Sequence, residues 1–265
     1  METPTTARPY GPDVRAVSGA ARAAALDALA VDLRSPDPAV RDERAYLAAV
    51  RWIPELGPEE RHHLGDLMAA RLTDPAVQAR AFAPLILARI AETGDWRRRW
   101  WLAFSAWYPA ETDLRGHDPA LGWLHAAAHG ADLIAVLARR PGQPPLRLAE
   151  LAAARLLAPT DHLFDAQEDD RIARALALVL SHPDLTEGES VRWLDPAVQA
   201  FGAGRPGPVP AWASNTMRTL RMLYVLADRG VHPGPAGEPP RMPAHRDALL
   251  DALARTLRIV APCTG

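Results

Sequence analysis

Lysine is absent from this chain: all 30 basic side chains are arginine. They face 32 Asp and Glu, leaving a formal net charge of −2. That balance gives no global attraction to nucleic acid or to an anionic membrane surface. The richness in Ala, Arg and Pro reads as the coding bias of a GC-rich bacterial genome, not as arginine selected for phosphate. Cysteine is represented by Cys263 alone, which excludes a disulfide within the chain and a cysteine zinc site. No uncharged apolar run of about 18 residues occurs, so no membrane span is expected. The first residues carry no apolar signal-peptide core, and the expected location is the cytoplasm. A Gly-rich phosphate loop, a nucleophile elbow and a His-Glu-x-x-His helix are all missing, so no nucleotide cofactor is expected. Alternating strand patterns are missing too.

What is present is helical periodicity. Apolar residues return at spacings of three and four, as in Leu26, Leu29, Ala30 and Leu33. The spacing predicts helices near 19–33, 38–55, 58–72, 75–92, 96–108, 121–139, 145–157, 168–181, 187–202, 211–229 and 243–260. The 26 prolines cut this pattern into short pieces. Asp37-Pro38 and Asp74-Pro75 read as helix starts, aspartate capping and proline at the first helical position. "Asp-Pro-Ala-Val" recurs at 37 and 74, and again at 195, a first interval of 37 residues that suits HEAT-type repeats. The expected fold is therefore all-α, a HEAT-like α-solenoid of antiparallel helix pairs. Residues 1–18 read as a flexible N-terminal segment and 19–265 as one helical domain, with hinges at 203–210 and 230–243.

Chemistry concentrates in one stretch. Between Leu121 and Ala138 the only ionisable side chains are His125, His129 and Asp132. On a helix, His129 would lie about 40° from His125, and Asp132 about 20° on the other side. The rest of that segment is apolar all round, which predicts burial, and a buried polar stripe needs polar partners or a wet pocket. Candidate partners are Glu111, Asp113, Arg115, His117 and Asp118 before it, and Asp161, His162, Asp165, Glu168, Asp169, Asp170 and Arg171 after it. Curvature of the array would bring 111–132 and 161–171 onto one concave pocket.

Three readings stay open. A divalent metal such as zinc, manganese or iron would sit on His125, His129 and Glu168. A metal-free pocket would use His125, His129 and Asp132 for acid–base catalysis, with Arg115, Glu111, Asp113 and Trp123 binding a small anionic or polar molecule. A structural network would simply fasten the loop at 109–120. A fourth, non-enzymatic alternative is an α-solenoid that binds a protein or peptide on its concave face. Asp165 and Glu168 have capping-box spacing. Trp96, Trp100, Phe104 and Trp107 stripe one helix face and are expected in the core.

Together these residues resemble a bacterial family called domain of unknown function 2785. The resemblance rests on Glu111-x-Asp113-x-Arg115-Gly116, on Gly122-Trp123-x-His125-x-x-x-His129-x-x-Asp132, and on Glu168-Asp169-Asp170-Arg171. The segment Asp37–Glu43 and Arg80-Ala81-Phe82 also fit, so the likeness covers roughly residues 35–230. It implies an all-helical fold and brings no reaction with it. One departure is His117-Asp118, where an aromatic or aliphatic pair is expected after Arg-Gly.

Overall fold

The computed structural model describes residues 13–205, 207–234 and 238–263. Among them the chain is mostly helical, with one two-stranded hairpin and an isolated bridge between Val231 and Arg241. The predicted flexible segment falls mostly outside the described residues; Val14–Ala16 forms a short 3-10 turn capped by Asp13. Contacts group the chain into two compact units. One holds residues up to Phe104 plus His117–Leu124, and the other holds Ser105–Gly116 plus everything from His125 onward.

In the first unit, α1 (Gly19–Asp32), α2 (Pro38–Val40), α3 (Leu47–Trp52), α4 (Pro58–Arg71) and α5 (Val77–Glu92) enclose an apolar centre. Asp37 caps α2 as predicted, accepting the Ala39 N–H at 2.9 Å ahead of Pro38. Asp74 departs from prediction. Its helix begins later, at Val77, because the Asp74 carboxylate turns the chain by accepting Ala76 N–H at 2.8 Å while pairing with Arg34. Arg41–Tyr46 winds as a π-helical turn between α2 and α3. Arg41 there is fully buried. Such a cation must have its donors matched. It donates to the Leu121, Trp123 and Ser35 carbonyls at 2.6, 3.2 and 3.2 Å, pairs with Asp42 and stacks over Phe82 at 4.6 Å. Its targets include the hairpin of β1 (His117–Asp118) and β2 (Gly122–Trp123), an antiparallel pair that the sequence pattern did not announce.

Helix α6 (Arg98–Ala110) carries three of the four aromatics of the stripe: Trp100 and Phe104 are inaccessible and Trp107 nearly so, as expected of core, while Trp96 precedes the helix and is partly exposed. Arg97 and Arg99 both pair with Asp66, which also accepts the Trp100 indole N–H at 2.7 Å.

The second unit contains α7 (Ala126–Leu137), α8 (Pro145–Leu157), α9 (Glu168–Leu180), α10 (Glu187–Arg192), α11 (Asp195–Gly202), α12 (Ala211–Arg229) and α13 (Arg246–Val260). Helix α9 is central and packs on α7, α8 and α12, while α12 also packs on α13. From Ile172 to Leu180 only Arg174 on α9 escapes full burial, and nearly all of α7 is buried. Each fully buried Leu, Ile or Val contributes about 1.5–3 kcal/mol relative to exposure. This makes the α7–α9 seam a rigid base for the polar groups it carries.

Candidate functional site

Helix α7 starts five residues later than its periodicity predicts. Leu121 to Leu124 belong to the hairpin and its exit, so His125 is the N-cap of α7 and not part of it. Its backbone is left-handed, at φ 52° and ψ 35°. For a non-glycine residue that conformation costs roughly 1–2 kcal/mol. The helical-wheel angle assigned to His125 therefore does not apply; His129 and Asp132 alone share the helix.

A second left-handed residue, Gln167 (φ 65°), is the N-cap of α9. The expected capping by Asp165 is not found. Helix α9 begins at Glu168, whose Oε2 reaches back to the Ala166 N–H at 2.9 Å. The two strained caps meet through their neighbours: Glu168 Oε1 lies 3.1 Å from Nδ1 of His125. Glu168 is wholly inaccessible, and the His125 side chain is 14% exposed. Burial pushes the Glu168 carboxyl upward, but hydrogen bonds from His125, the Ala166 N–H and its own backbone N–H outweigh this and hold it below the ordinary carboxylate value. An ionised Glu168 accepts, so Nδ1–H of His125 donates.

Gly116 explains how the loop gets this close. A Cβ built there would lie 2.4 Å from Ala166 Cβ and 2.6 Å from Glu168 Oε1. The backbone then anchors His125 directly, its N–H donating to the Arg115 carbonyl at 3.2 Å. Gly130 plays the same part on α7, where a Cβ would meet the Tyr108 ring at 2.1 Å. Tyr108 itself donates to the Ala127 carbonyl at 2.7 Å, and burial pushes its phenol well above the usual range.

The other predicted residues divide by what they touch. His129 is buried, its ring centre 5.7 Å from that of His125. Asp132 makes a two-point ion pair with Arg171, Nε to Oδ1 at 3.0 Å and Nη2 to Oδ2. The carboxylate on the His125 ring nitrogen is therefore Glu168 and not Asp132. Glu111 is buried and fastened: it accepts Trp107 Nε1 at 2.8 Å and the Thr112 and Asp113 N–H groups at 3.0 and 2.9 Å. Its carbonyl accepts from the buried Arg155 at 2.6 Å, which also holds the Tyr108 carbonyl at 3.0 Å. Asp113 and Arg115 pair with each other, Nε to Oδ1 at 2.9 Å and Nη2 to Oδ2 at 2.6 Å. Trp123 lies in the first unit, half exposed, its ring edge-on to His117 at 4.9 Å.

Among the described residues no three His, Cys, Asp or Glu side chains are grouped to hold a metal ion. The set His125, His129 and Glu168 is not such a group.

Sequence reasoning missed three contributors. Gln167 carries no local signal for a left-handed cap. Arg155 reads as one more charged residue on an amphipathic helix. Asn215 ties down the loop leading to Glu168: its Oδ1 accepts the Phe164 N–H at 2.9 Å and its Nδ2 donates to the His162 carbonyl at 2.9 Å.

A family model described as Protein of unknown function (DUF2785) matches residues 68–225, more than half of the chain. No curated protein and no solved structure matches the chain.

Proposed function

We propose that this chain, which belongs to the family described as Protein of unknown function (DUF2785), binds a small anionic or polar molecule and acts on it by acid–base chemistry centred on His125. One observation carries the reading. An inaccessible carboxylate, Glu168, is hydrogen-bonded to an imidazole whose backbone sits in a strained left-handed conformation. Strain of this kind persists where the surrounding packing over-determines it, and it concentrates at functional positions. In the proposed step Nε2 of His125 takes a proton from the bound molecule. Glu168 fixes the tautomer and stabilises the imidazolium as it forms. His129 is the adjacent polar group on α7. No metal enters this scheme.

The finer architecture, a HEAT-like array of helix pairs, belongs to the same proposal and is supported by the recurrence of Asp-Pro-Ala-Val at 37, 74 and 195 in the sequence. So does a cytoplasmic bacterial setting, which rests on composition. A non-catalytic protein-binding array is the competing function. The buried Glu168–His125 pair favours the first reading, because a docking face has no use for a carboxylate hidden from solvent.

The test is a protein-observed NMR screen and turnover assay of small phosphates, carboxylates and amides with wild type and His125→Gln. Compounds that contact wild type should shift the His125 ring resonances, and those turned over should be turned over at least about 100-fold more slowly by the variant, as general acid–base catalysis implies. Equal turnover by the two proteins would remove His125 from the chemistry.

A further inference from the structure

Within the second unit, the connection from α11 to α12 and the end of α13 border a cavity of about 440 Å³. Its lining is apolar. The Phe201 and Trp212 rings lie nearly parallel, 15° apart with centres 6.1 Å apart, and Met217, Val209, Ile259 and Val260 join them. Val209 and Ile259 are 60% and 41% exposed. Single apolar residues scattered over a surface are ordinary. Two large exposed ones on the lining of one cavity are a concentration that marks a binding place.

Charge around the cavity has one sign. The ionisable side chain among its lining residues is Arg205, which is exposed and has no hydrogen bond or ion pair among the described residues. The sequence explains why nothing answers it. No Asp or Glu occurs from Pro196 to Ala227 or after Asp251, and these two stretches supply the whole lining. Their other arginines lie outside the lining, and Arg218 is already paired with Asp169 at 2.6 Å.

We propose that this cavity binds a soluble apolar carboxylate, its hydrocarbon or aromatic body in the apolar lining and its carboxylate on the Arg205 guanidinium. The planar fork of arginine suits a carboxylate. A neutral apolar molecule would leave Arg205 unanswered, and a small acid such as acetate would leave the lining wet. The volume lies in the range of about 300–1,000 Å³ that takes one small molecule. A bilayer or a flat partner surface would cover such a cavity without filling it. His125, His129 and Glu168 do not line it, so the site is separate from the proposed acid–base centre and stands or falls on its own.

NMR of isotope-labelled methionine methyl groups reads the site, because Met217 lines it while Met68 is buried in the first unit. The probe is naphthoate. Naphthalenemethanol matches its body without the charge, and acetate matches the charge without the body. Naphthoate should shift the Met217 signal saturably and leave Met68 in place. The alcohol should bind about two- to fivefold more weakly, the contribution of an ion pair at a solvent edge, and acetate should not bind. Arg205→Gln should erase the advantage of acid over alcohol while both still reach Met217. Val209→Asp, at an exposed loop position, should weaken naphthoate more than the alcohol. A Met217 signal indifferent to naphthoate would overturn the proposal. So would equal binding of acid and alcohol to wild type, or an acid preference that survives Arg205→Gln. Anionic phospholipid vesicles, or a second copy of the chain seen by sedimentation, that perturb Met217 where naphthoate does not would also overturn it, making this a docking face.

Discussion

At the scale of single residues, the account turns on Glu168. Its carboxyl is held below the ordinary 4.5 by hydrogen bonds that exist only in the folded chain. A carboxyl depressed on folding stabilises above its unfolded value and loses that contribution as pH falls through the folded one. The Glu168 contribution is therefore present from about pH 4.5 upward and drains away below it. Glu168→Gln should flatten that part of the melting-temperature profile and cost about 1–3 kcal/mol at neutral pH, because the amide brings a surplus buried donor. Thermal melts from pH 3 to 7 read both effects. A profile identical to wild type below pH 4.5 would contradict the assigned bonds. Gly116→Ala makes a separate demand: its methyl must displace Ala166 and Glu168. It should destabilise by about 1–3 kcal/mol as an overpacking change and perturb the His125 ring signals, which an unrelated core enlargement would leave alone.

At the scale of elements, legibility followed the punctuation. Helices α8 and α12 begin and end where the sequence predicts, because Pro144-Pro145 and Pro210 mark the starts and Gly230 closes α12 with φ 89°. The stretch at 121–125 misled the periodic reading. It is as apolar as the helix it precedes, yet Gly122 at φ 70° and the short pairing with His117–Asp118 make it a hairpin. Apolar period alone cannot separate a buried helix from a buried approach to one. The partner of His125 was equally hidden, since 43 residues separate it from Glu168 and only tertiary packing joins them. The burial of α7 itself, by contrast, was plain from its apolar composition. The hairpin is fixed by Arg41, so Arg41→Met should free the Leu121 and Trp123 carbonyls and strand Asp42. The expected cost is about 3–5 kcal/mol, as for removing one partner of a buried pair. Hydrogen exchange should show lost protection at 117–123 first; uniform loss across the unit would contradict this local role. On α12, Asn215→Ala should loosen 162–164 in the same measurement and weaken the His125–Glu168 contact indirectly.

At the scale of the molecule, a slightly acidic helical chain with no membrane-spanning helix among its described residues places the hydrogen-bonded Glu168–His125 pair where α7 and α9 begin. The central claim is that His125 donates through Nδ1 to Glu168 and keeps Nε2 for a ligand. Long-range proton–nitrogen NMR on histidine-labelled protein tests it most directly. The account predicts that neutral His125 is protonated at Nδ1, with a strongly downfield proton that Glu168→Gln removes or shifts, and that Nε2 is the nitrogen which moves when a ligand binds. A neutral His125 protonated at Nε2, unaffected by Glu168→Gln, would contradict it.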